Sequence, residues 1–278
     1  MPAGFAFLTV AGMFMTLAIS IGLPVIVMIV FMKKLHGKFL PVLIGAGTFI
    51  VFALLLEQLL HTVVQLVFKE RLTQNVFAYA VYGGLAAALF EETGRFLSMR
   101  FLMKKWRTKE NALMYGVGHG GAESILLIGG SYISNLLIMS LYRLPFFYRI
   151  LSGLDPAVRT RLNEAVTAIV KTPPSHFFLA GAERIAAFVL QLCLSYIVYR
   201  AVKERKWILL LLAGFLHFFV DAGVVLLAHA SPLWLTETLL VLTTAVIAVT
   251  VLIVYRKEND HGEESKDHGG SGVIRCAR

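Results

Sequence analysis

The stretch VFAYAVYGGLAAALFEETGRFLSMRFL, residues 76–102, is apolar over a membrane-crossing length, yet it contains Glu91, Glu92 and Arg95. At about 1.5 Å per residue a helix of this length spans the roughly 30 Å hydrocarbon core of a bilayer. A charged side chain at the centre of such a helix costs about 2.5–3.5 kcal/mol on insertion scales, so it faces a partner or a cavity and marks function by default. This one segment predicts a membrane-spanning helix with a polar site inside it.

The rest of the chain repeats the pattern. Of 278 residues, 58% are hydrophobic and only 15% charged, against about 25% charged in a soluble domain. Apolar runs of this size are helix-sized, whereas barrel strands would alternate over about 10 residues. The expectation is an all-α polytopic helix bundle with about seven spans, at 5–31, 40–68, 76–102, 112–139, 177–199, 207–228 and 233–255, eight being the alternative count. Residues 1–255 read as one membrane-embedded domain with its chemistry in 76–228, and the polar tail 256–278 is expected to be unstructured. The first apolar segment lacks a basic leader and a small-residue cleavage site, so it reads as a retained span. Cys193 and Cys276 cannot build a disulfide framework or a cysteine metal site. No internal repeat is visible, which weakens the case for a transporter built from inverted repeats.

The net charge of +9 gathers at the ends of apolar segments, a topology signal and not a nucleic-acid patch. Lys33, Lys34 and Lys38 follow the first span, Lys104, Lys105, Arg107 and Lys109 the third, and Arg200, Lys203, Arg205 and Lys206 the fifth. The second connection has only Lys69 and Arg71, and the sixth has neither lysine nor arginine. The positive-inside rule then places the N-terminus outside and the C-terminus in the cytoplasm of a cell membrane. The connection 140–175 would lie outside despite four arginines and Lys171. Within it, Asp155-Pro156 reads as an N-cap followed by proline at the first helical position. Val158, Leu162, Ala165 and Ile169 then line one face of an amphipathic helix on the membrane surface or over the bundle.

Three helices carry the remaining polar groups. On the first, Glu91 and Arg95 are four residues apart and Glu92 and Arg95 three, so one guanidinium can reach either carboxylate. Two adjacent carboxylates do not both ionise comfortably in a low dielectric; Arg95 can hold one charged while the other keeps a proton to transfer. A structural ion pair explains one Glu–Arg pair equally well, but leaves the second carboxylate without a role. The next helix gives YGVGHGGAE, residues 115–123, in which Tyr115, His119 and Glu123 form one stripe and the small residues admit a close neighbour. A lone histidine in an apolar helix is more often a bonded core residue; with Glu123 one turn on, metal ligation and general-base chemistry both fit. The third helix gives HFFVD, residues 217–221, where Asp221 needs a partner that His217 or a metal could supply.

Depth ties the three together. Glu91 lies about 20 Å from Lys104, His119 about 12 Å and Glu123 about 18 Å from Asn111, and His217 about 17 Å from Lys206. Unrelated structural pairs have no reason to share a level, so a single site is expected. Glu57 with His61, and Glu183 with Arg184, are weaker candidates. The latter two are adjacent, and adjacent helical residues point apart, so they are not expected to pair with each other. Counting depth from the cytoplasmic helix ends, substrate is expected laterally or from that side.

The order Glu-Glu-x-x-Arg, aromatic-x-x-x-His, then His-x-x-x-polar on three separate apolar helices resembles the CAAX-protease and bacteriocin-processing superfamily of intramembrane endopeptidases. The GHGGAE stretch at 118–123 most resembles its YhfC-type intramembrane metalloprotease family, over about Val76 to Val225. The resemblance implies peptide hydrolysis in a membrane-associated protein or peptide. Glu91 would be the general base, Glu92 and Arg95 would tune it, and His119 and His217 would position water or, with Glu123, hold Zn2+. The superfamily often ends its last motif in Asn, where this chain has Asp221, and its Glu-Glu to Arg spacing is one residue longer. An ionised Asp221 cannot donate to an oxyanion, which leaves metal ligation, a protonated carboxyl or a donor elsewhere. The same buried groups also suit a proton- or cation-coupled transporter, or a catalytically silent membrane scaffold.

Overall fold

The computed structural model describes residues 7–69 and 71–267, and its regular elements are all helical, with no strand among the described residues. Besides two single turns, Arg71–Gln74 and Lys104–Trp106, they are in chain order α1 (Phe7–Lys34), α2 (Leu40–Phe68), α3 (Val76–Leu97, continued by a wider π turn, Ser98–Leu102), α4 (Lys109–Leu141), α5 (Pro145–Gly153), α6 (Pro156–Lys171), α7 (Pro174–Glu204), α8 (Trp207–Ala230) and α9 (Leu233–Asp267). Six of these are long and apolar enough to cross a membrane. The expected span α3 is not among the six, because its two glutamates and arginine lower its apolarity. It is still helical through Leu102, about 40 Å of axis, and it packs against α2, α7 and α8.

The bundle is built around α7. Its apolar window is 67% buried within the protein, against 17% for α1, α4 and α9, so α7 is the central post and the others are its wall. It packs against α1, α4, α8 and α9, and Leu194, Tyr196 and Val198 join Met99 of α3, Met103 just after it and Tyr115 of α4 in the main core. The outward faces keep Phe14, Ile26, Leu59, Leu89, Phe215 and Val246 exposed. An apolar surface of that extent is stable only in contact with lipid.

Two glycines set how closely α2 and α4 approach. A Cβ on Gly118 would collide with the Val42 backbone, and one on Gly45 with the Tyr115 carbonyl. The helices are therefore in backbone contact, as small residues permit in membranes. On α4's other side, a Cβ on Gly120 would come within 2.8 Å of Gln191 Cβ, which brings α7 against the same helix.

Three π turns, Ile50–Glu57, Ser98–Leu102 and Ser124–Gly129, interrupt α2, α3 and α4. One ends at Glu57 and another begins directly after Glu123, beside the polar groups. Such widened turns recur at functional sites because they re-aim side chains without breaking the helix.

The 140–175 connection holds two helices where one was expected. Asp155 caps α6 through a 2.8 Å bond from Ala157 N, with Pro156 at its first position. Val166 and Ile169 are its buried residues and Leu162 and Ala165 are half-buried, so the expected face holds except at its start, where Val158 is exposed. It closes over Tyr142, Phe147 and Leu151. Past Tyr255, where an unstructured tail was expected, α9 remains helical to Asp267. Glu258 fastens it to α7, accepting from Tyr196 Oη at 2.7 Å and from Lys203. Residues 268–278 lie outside the described residues.

Candidate active site

α3, α4 and α8 bring Glu91, Glu92, Arg95, His119 and His217 into one buried cluster, as the matched depths required. The partners cross between helices. His119 Nε2 lies 2.8 Å from Glu91 Oε2, and His217 Nδ1 lies 2.8 Å from Glu92 Oε1. His217 Nε2 faces Asp221 Oδ2 at 3.4 Å and Glu91 Oε2 at 3.9 Å. Arg95 is 0% exposed and lies 3.7 Å from Glu91 Oε2 and 3.5 Å from Glu92 Oε2, so one guanidinium does serve both carboxylates.

The bonding pattern assigns the imidazole protons. His119 Nδ1 is buried with no hydrogen-bond partner among the described residues. A proton there would be unpaired in a dry interior, which costs about 1–3 kcal/mol, so the proton sits on Nε2 and donates to Glu91. On His217 the Nδ1 proton donates to Glu92, which leaves Nε2 toward Asp221 and Glu91. His119 is 0% exposed, stacked on Tyr115 and met edge-on by Phe49. The two histidines therefore differ: His119 stands behind Glu91, and His217 stands beside it.

A cavity of about 480 Å3 reaches this cluster, lined at its inner end by Glu91, His217 and Asp221, with Gln191 and Glu123 beside them. His119 and Glu92 are not in its wall. The cavity runs along α3 past Gly84, Gly83, Tyr82 and Tyr79 to Lys69, Leu72 and Thr73, about 18 Å of helix between Tyr79 and Glu91. Its far end is thus at the 69–75 connection, away from the lysine-rich helix ends. The polar cluster is the floor of a shaft whose other end lies at that connection.

Residues 19–252 match the model of a family described as YhfC intramembrane metalloprotease. The chain belongs to this family. It is 39% identical over 212 residues to the Bacillus subtilis (strain 168) protein described as "Uncharacterized membrane protein YhfC", covering 75% of this chain and 81% of that one. No solved structure matches it. The family match takes in most of α1 and all of α2, beyond the expected stretch from Val76 to Val225. The structure gives a physical reason: Glu57 and His61 of α2 line the shaft, and Gly45 and Phe49 hold α4 in place.

The family description raises the question of a metal, and the trio His119, His217 and Glu123 does not answer it. Glu123 is spent on other helices: Oε1 accepts from Arg184 Nη1 at 3.1 Å and Oε2 from Gln191 Nε2 at 2.8 Å. His119 Nε2 is spent on Glu91. Among the described residues no three of His, Cys, Asp and Glu converge closely enough to hold an ion. The donors that face the shaft beside Glu91 are His217 Nε2 and Asp221, of the types zinc takes but one short of the three protein ligands of a catalytic site. In this arrangement the residues do not fit zinc.

Gln191 is the residue that motif reading missed. Its Nε2 donates to Glu91 Oε2 at 3.1 Å and to Glu123, and its Oε1 accepts from Arg95 Nη2. Its only signal in the sequence is a lone amide in the apolar run around 186–199. Arg184 was underrated for a related reason. It does pair with adjacent Glu183, Nη2 to Oε1 at 2.6 Å, because a long guanidinium can turn back along the helix while its other nitrogen holds Glu123. Glu57 and His61 form their own pair at 3.2 Å, and His61 Nδ1 meets Tyr82 Oη at 2.6 Å, on the shaft wall.

Proposed function

We propose that this chain is an intramembrane endopeptidase that hydrolyses a peptide bond of a membrane-associated protein or peptide, with Glu91 as general base. One observation carries the reading: Glu91 sits at the floor of the shaft with Oε2 held by His119 and Gln191, while no described residue donates to Oε1. Oε1 takes a proton from water, and the oxygen bonds to the carbonyl carbon. His217, anchored by Glu92 and facing Asp221, relays the proton to the leaving nitrogen as the C–N bond breaks. Arg95, lying against both carboxylates, fixes their positions. A dry, preorganised floor strengthens each of these interactions. The family description supports peptide hydrolysis, and the resemblance of the Glu-Glu motif supports a base at Glu91.

The lysine and arginine distribution supports a cell-membrane protein with its N-terminus outside and its C-terminus in the cytoplasm. The shaft mouth then opens at the outer face, and substrate descends from that side. The test is cleavage of a pool of transmembrane-segment peptides by the purified protein in H2(18)O, read by mass spectrometry. Heavy oxygen in one new C-terminus, absent with Glu91→Gln, is the expected result. Uncleaved peptides together with proton or cation flux in proteoliposomes would replace the reading with transport.

A further inference from the structure

A second cavity, about 600 Å3, lies at the other end of α3, where the π turn Ser98–Leu102 and its following loop meet the α7–α8 connection. Arg100, Lys104 and Arg107 enter from one side and Arg205 and Lys206 from the other, and no carboxylate lines it. These cations are the residues that topology accounts for singly; what topology does not require is that two loops a hundred residues apart close them around one hollow. Lys206 is neutralised by Glu204 Oε2 at 2.9 Å, and the other oxygen of Glu204 is held by Arg200. Among the described residues, Arg100, Lys104, Arg107 and Arg205 have no carboxylate partner. Arg107 is nevertheless held in place, donating to the Met99 and Arg100 carbonyls at 3.3 and 2.8 Å.

The wall beside the charges is aromatic. Phe96 and Trp207 pack with ring centroids 5.1 Å apart, and the Arg100 guanidinium lies over Phe96 at 5.8 Å. From there an exposed apolar strip continues through Phe101, Ile208 and Leu211. A cationic pocket at the end of membrane helices, with an aromatic rim and an apolar strip leading away, matches the shape of a lipid: anionic head, interfacial glycerol, acyl chain. Arg205 adds a second sign. It holds φ 56°, ψ 36° at the end of α7, the cap position where glycine is favoured, and a charged residue there carries strain that its location in the pocket explains.

We propose that this pocket binds the phosphate headgroup of an anionic phospholipid at the membrane face opposite the shaft mouth. The acyl chain lies along the Phe101–Ile208 strip. The site is independent of the hydrolytic reading, since none of its residues touches the Glu91 cluster.

Native mass spectrometry of the full chain, released from mixed phosphatidylglycerol and phosphatidylcholine micelles, tests it. Phosphatidylglycerol adducts are expected to exceed phosphatidylcholine adducts, and the Lys104→Gln/Arg205→Gly double variant to lower their occupancy at least ten-fold, at about five-fold per cation. Glycine suits the Arg205 backbone, so the double variant is expected to keep its melting temperature, which separates lost binding from lost folding. Equal retention of the two lipids, or unchanged adducts in the double variant, would overturn the proposal. A parallel arm raises inorganic phosphate in neutral detergent; protection by phosphate equal to that by lipid would assign the pocket to a free anion instead.

Discussion

Gln191 and Glu91 are a hundred residues apart in sequence and 3.1 Å apart in space. The single amide of Gln191 also binds Glu123 and receives Arg95, so α7 joins α3 and α4 at the level of the site. Replacing Gln191 by Leu keeps the volume and leaves a buried guanidinium and two carboxylates short of a partner. The expected loss is about 3 kcal/mol, seen as a lower melting temperature in detergent, and Gln191→Glu is expected to give no recovery, because a carboxylate cannot donate to Glu91 and Glu123. An unchanged melting temperature for Gln191→Leu would show that the network is not what holds these helices together.

Two helix glycines make opposite predictions. A Cβ on Gly118 collides with backbone, while one on Gly83 meets nothing within 4 Å. Gly118→Ala must therefore push α2 and α4 apart and cost stability. Gly83→Ala should gain about 0.5–1 kcal/mol from helix propensity. Thermal unfolding of the two variants side by side reads both signs.

Because Gly83 lines the shaft, a large residue there changes traffic without touching the chemistry. Gly83→Phe is expected to raise KM for long peptides by ten-fold or more and leave kcat for a short peptide within a factor of about three. Equal effects on both would place the substrate path elsewhere.

Glu258 binds Tyr196 and Lys203 from the far end of α9. Glu258→Ala is expected to cost about 1–2 kcal/mol, as charge-assisted bonds do. Limited proteolysis should then cut the polar part of α9 sooner than in the wild type. Wild-type protease resistance would mean that the helix does not depend on this clasp.

Much of this was legible in the chain because a membrane makes burial costly and so makes polar residues conspicuous. The Glu91–Glu92–Arg95 triad, the depth match with His119 and His217, and the Asp155 cap all follow from spacing along single helices. Partnerships between helices do not. Spacing pairs His119 with Glu123 and His217 with Asp221, whereas packing gives His119 to Glu91, shares His217 between Glu92 and Asp221, and leaves Glu123 to Arg184. A lone amide such as Gln191 has no periodic signature. Depth along a helix says how far a group lies from an end and not which end is open, so it does not locate the shaft mouth.

The central claim is that Glu91 Oε1 takes the proton from water while His119 only holds Oε2. Single-turnover cleavage of one identified peptide by wild type, Glu91→Gln and His119→Gln tests it most directly. Glu91→Gln should fall by about 10²–10⁴-fold, because an amide cannot accept the proton. His119→Gln, which can still donate to Oε2, should keep at least a tenth of the wild-type rate. Full activity in Glu91→Gln, or a deeper loss in His119→Gln than in Glu91→Gln, would contradict the account.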